Sequence, residues 1–71
     1  MDTRTKYEKA RDAKGMTDYQ VVKASGVPDS TLYDWLGRME TNPYATMNLA
    51  NMARVAAVLD VTLDQIVGDV N

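Results

Sequence analysis

The 71-residue chain contains no cysteine, no histidine and no phenylalanine, and only two prolines and four glycines. Each absence removes a class of function. Without cysteine there is no disulfide and no thiolate metal site. Without histidine the commonest metal ligand and general base is also gone. The carboxylates are scattered, with no spacing that pairs them for acid/base work, and no glycine-rich phosphate loop occurs. An enzyme is therefore not expected, nor is a metal, a cofactor or a small-molecule ligand. Long apolar runs are missing too. The longest, Val55 to Leu59, is far short of the ~20 residues of a membrane span. The start, Met1 to Lys6, lacks the apolar core of a signal peptide. A soluble cytoplasmic protein is expected, with one small domain across residues 1–71.

Small domains without disulfide or metal staples usually rely on well-formed helix packing. The sequence agrees, because every stretch between Gly15, Gly26, Gly37 and Gly68 has helical periodicity. The expected class is all-α, with five short helices at about 2–14, 18–24, 29–39, 48–59 and 63–67. Gly15 suits the end of the first. Thr17 and Gln20 form a capping box that opens the second, and Thr62 and Gln65 repeat it before the last. Leu32, Trp35, Leu36 and Met39 recur at i, i+3, i+4 and i+7, a single core-facing stripe on the third helix. On the fourth, Leu49, Met52, Ala53, Ala56 and Leu59 are expected to face inward. Residues 40–47 read as a loop.

Two helices joined by Ala24, Ser25, Gly26, Val27 and Pro28 make a helix-turn-helix, whose second helix leaves one face free for the major groove. The stretch from Gly15 to Trp35, GMTDYQVVKASGVPDSTLYDW, resembles the phage Cro/repressor type of helix-turn-helix. The stretch from Ala53 to Gly68, ARVAAVLDVTLDQIVG, resembles the last two helices of the same family. Arg11 stands where that family often places a basic residue. The resemblance implies a five-helix, lambda-repressor-like domain that binds double-stranded DNA, usually as a homodimer on a near-palindromic operator. It implies base contacts from Asp29, Ser30, Thr31, Tyr33 and Asp34. It implies phosphate contacts from Thr17 and Asp18 at the start of helix 2, and from Arg38 and Asn42 after helix 3. The chain departs from the family pattern in its longer loop at 40–47, in Val22 where alanine is common, and in Asp60 where glycine is frequent.

Simpler structural roles stand beside these readings. Asp29 can complement the helix dipole, Asp34 can pair with Arg38 at i+4, and Ser30 can help to cap the helix. Tyr33 can be half-buried against the loop instead of touching a thymine methyl or a phosphate. Val67 and Val70, with Leu63 and Ile66, offer a dimer patch, although Leu63 and Ile66 can equally close the core. The formal charge of −2 opposes a nucleic-acid partner, but it is unevenly spread. Residues 1–15 carry +2, residues 16–38 carry −1 and residues 39–71 carry −3. Local field matters more than the sum. The acidic third helix also motivates an alternative, a protein-interaction module such as an antirepressor or accessory partner that keeps the fold without binding DNA.

Overall fold

A computed structural model describes residues 3–68. Among them there are four α-helices and no strand: α1 (Lys6–Ala13), α2 (Asp18–Ser25), α3 (Asp29–Met39) and α4 (Leu49–Leu59). No helix among the described residues is long and apolar enough to cross a membrane.

Local chemistry sets the helix ends. The Thr5 hydroxyl accepts from the Glu8 amide at 3.1 Å and Glu8 accepts from the Thr5 amide at 2.8 Å. This capping box starts α1 at Lys6 rather than near residue 2, because the reciprocal bonds fix Thr5 in extended backbone. The expected box at α2 is present, with Thr17 and Gln20 exchanging bonds of 3.2 and 2.9 Å. α2 ends at Gly26, which takes φ +76°, a left-handed turn that a side chain would resist. Val27 then enters the core and Pro28 restarts the chain as α3. Asn48 caps α4 by accepting from the Asn51 amide at 2.8 Å. At the other end of α4, Asp60 adopts φ 57° and ψ 46°, the conformation that a glycine would take without strain.

A fifth helix over 63–67 does not form. Leu63–Gln65 is a single 3-10 turn, followed by Ile66 at φ −125° and Gly68 at φ +109°. Five residues between the Thr62 cap and Gly68 leave no room for a second turn, and one isolated turn favours the tighter 3-10 form.

The core is built around Trp35, Tyr7, Leu32, Ile66, Val21, Val27 and Val55, all fully buried. α2 packs most extensively on α4. Tyr7 meets Trp35 edge to face, with ring centroids 5.1 Å apart. The loop after α3 is part of this core. Ala45 and Met47 are buried, and the Trp35 indole donates to the Ala45 carbonyl at 2.8 Å. The Pro43 carbonyl accepts from the Gly68 amide at 2.8 Å, which ties the loop to the C-terminal turn.

Two expected inward positions on α4 point outward. Leu49 is 72% exposed and Ala53 is exposed, whereas Val55 and even Asn51 are buried. α4 carries only one charge, Arg54, so its apolar pattern runs nearly all round and leaves its buried side ambiguous. Leu36, expected in the stripe of α3, is only partly buried beside it. The proposed dimer patch is also largely used within the chain. Ile66 is 1% exposed, and Leu63 and Val67 pack partly buried against the core. Val70 lies outside the described residues.

Candidate nucleic-acid interface

α3 buries Leu32, Trp35 and Met39 and turns its other side to solvent. With 3.6 residues per turn, that side carries Ser30, Tyr33, Asp34, Gly37 and Arg38. All five are exposed, Tyr33 at 47%. Asp29 is exposed as well, while Thr31 is half-buried at the edge of the face.

The carboxylates on this helix have partners. Asp29 accepts from the Ser30 amide at 2.7 Å, supporting a first turn that Pro28 cannot cap. This is the role expected of an acid at a helix start. Asp34 accepts from Arg38 Nε at 3.0 Å across one helical turn. Asn42 folds back on its own loop. Its side chain accepts from the Tyr44 amide at 3.1 Å, and its amide donates to the Arg38 carbonyl at 3.0 Å.

The start of α2 is differently arranged. The Thr17 hydroxyl is committed to capping. The Asp18 carboxylate accepts from the Tyr7 hydroxyl at 2.8 Å and from Arg11 Nη1 at 2.9 Å. Arg11 also holds Asp12 at 2.8 Å and lies over the Tyr7 ring at 5.9 Å. Asp18 is thus neutralised beside the first-turn amides of α2, which no intrahelical carbonyl can satisfy. An anion approaching those amides meets a paired carboxylate rather than a bare one.

The same cluster shifts three protonation equilibria. Burial, and then the hydrogen bond to Asp18, push the Tyr7 phenol well above its ordinary range. Partial burial of Arg11 works against its charge, but the hydrogen bonds to Asp18 and Asp12 outweigh it and raise its pKa. Hydrogen bonds from Arg4 and Arg11 hold Asp12 below the usual carboxylate range.

Sequence reasoning placed Arg11 by resemblance alone. Its partner Asp18 stands seven residues away on another helix, a spacing with no periodic signature. The stacking of Lys23 over Tyr19, at 5.2 Å, was readable as an i, i+4 pair. Among the described residues there is no cluster of three or more acidic side chains that could hold a metal ion.

No family model, no curated protein and no solved structure matches the chain.

Proposed function

We propose that the protein is a sequence-specific DNA-binding transcriptional regulator of the phage-repressor kind. In this reading α2 and α3 act as a helix-turn-helix, and α3 enters the major groove. The observation that carries it is the outer face of α3. Ser30, Tyr33, Asp34 and Arg38 are exposed there together, on a helix whose opposite side is anchored by Trp35 and Leu32. A rigid helix with hydroxyl, aromatic, carboxylate and guanidinium groups on its free side has the donors, acceptors and apolar surface that base edges require. The tight turn at Gly26 and the buried Val27 support the same arrangement. The five-helix lambda-repressor-like architecture belongs to this proposal, with the 3-10 turn at Leu63–Gln65 standing for the fifth helix.

Within the proposal, Ser30 and Tyr33 face the bases, Asp29 and Thr31 stand at the margins, and Asp34 stands beside Arg38. Arg38 and the first-turn amides after Thr17 face phosphates. Two copies on a near-palindromic site place their third helices about one helical turn, ~34 Å, apart. Few cations face the DNA, so non-specific attraction is weak and the salt dependence shallow. Selection from random-sequence duplexes at low salt tests the reading. It should return an enriched, near-palindromic motif, and no enrichment from folded protein overturns it.

A second reading, a protein-interaction module without DNA, is favoured by one observation. Leu49 is 72% exposed at the head of an α4 face that also shows Ala50, Ala53 and Ala57. A stoichiometric protein partner, together with no DNA binding at low salt, selects it.

A further inference from the structure

Arg38 is the only cation in α3, and in the free protein it is already paired. Its Nε donates to Asp34 Oδ2 at 3.0 Å, with the two side chains 48% and 69% exposed. An acid four residues before a base is the favourable order on a helix. Gly37 lies next to the pair, and beyond its chain neighbours and its own helix backbone no atom comes within 4 Å of where its Cβ would be. The next acid on the helix, Asp29, is occupied with the Ser30 amide. Among the described residues, Asp34 is paired with Arg38, the cation a phosphate would need.

We infer that Asp34 is a positioning residue that limits affinity for DNA of any sequence by competing with DNA phosphate for Arg38. The inference rests on the DNA-binding reading above. A phosphate that takes Arg38 must displace the carboxylate and leave it unpaired near the DNA backbone. Exposed ion pairs are weak, so this competition is worth a few-fold in affinity rather than orders of magnitude. Binding to arbitrary DNA is almost wholly phosphate attraction, whereas binding to a chosen site adds base contacts. The phosphate contact is common to both, so the competition lowers both by the same factor.

The test is a double-substitution cycle. Wild type, Asp34→Asn, Arg38→Gln and the double variant are titrated with random-sequence duplex and with selected duplex across salt concentrations. Circular dichroism verifies the fold of each. Asp34→Asn should bind random DNA about three- to tenfold more tightly at low salt. Its log-affinity slope against log salt should steepen by about 0.9, the value of one extra phosphate contact. Selected duplex should gain by a similar factor, so that the gap between selected and random DNA is kept. In the Arg38→Gln background, the same Asp34→Asn change should leave affinity within twofold and the slope unchanged. An equal gain with and without Arg38 overturns the inference, because it reports only the removal of a negative charge. A loss confined to one base position also overturns it, by making Asp34 a base reader. If folded wild type and Asp34→Asn both bind no duplex at low salt, the DNA-binding reading itself fails.

Discussion

Single residues decide several features that could have gone otherwise. Asp60 holds a left-handed backbone at the end of α4, where its negative charge also opposes the helix dipole. Asp60→Gly should therefore raise stability by about 1 kcal/mol in urea denaturation, the relief of strain exceeding glycine's added chain entropy. Trp35 ties the loop to the core through its bond to the buried Ala45 carbonyl. Trp35→Phe removes that bond and leaves the carbonyl unpaired, so a loss of about 2–3 kcal/mol is expected. Protonation acts through the Tyr7 and Asp12 cluster. The Tyr7 phenol is raised above its ordinary 10.0, so its contribution is complete below pH 10 and is lost as pH climbs beyond it. The Asp12 carboxyl is lowered from 3.8, so its contribution is present above about pH 4 and is lost as pH falls through the lowered value. Stability measured against pH should lose part of its alkaline limb in Tyr7→Phe and part of its acid limb in Asp12→Asn.

At the scale of elements, legibility in the sequence followed the strength of local signals. α2 and α3 lie within a residue of their expected bounds, because a capping box, a turn glycine and a clear apolar stripe agree there. The start of α1 carried the same kind of signal in Thr5 and Glu8, yet its many helix formers suggested an earlier start. α4 was legible as a helix, and Met52, Ala56 and Leu59 are buried as expected, but Leu49 and Ala53 on the same expected face are exposed. Leu49→Ala should cost less than about 0.5 kcal/mol, as at an exposed site. Leu59→Ala should cost about 2–5 kcal/mol, as in a packed core. Thermal denaturation of the pair checks which side of α4 is inward. The loop was the least legible element, since burial of Ala45 and Met47 depends on a distant indole and leaves no periodic trace. On α3, Gly37→Ala should stabilise the helix by about 0.5–1 kcal/mol, because nothing meets the added methyl. The candidate face on α3 was readable from periodicity, but the neutralisation of Asp18 by Arg11 and Tyr7 was not.

For the whole molecule, the formal charge of −2 is unevenly spread, and internal pairing redistributes it without reducing it. Several of the acids that produce it are occupied: Asp12 and Asp18 by Arg11, Asp34 by Arg38, and Asp29 by a backbone amide. What remains is a small helical body with a polar, exposed α3 and a core closed by its own loop and C-terminal turn. The central claim is that the outer face of α3, with the start of α2, is the surface that meets DNA. Amide chemical shifts of the labelled protein, followed during titration with duplex DNA at low salt, test it most directly. The largest changes are expected at Ser30, Tyr33, Asp34, Gly37 and Arg38, with a second group at Thr17 to Gln20. Changes centred instead on Leu49, Ala53 and Ala57, or no changes at saturating duplex, would contradict it.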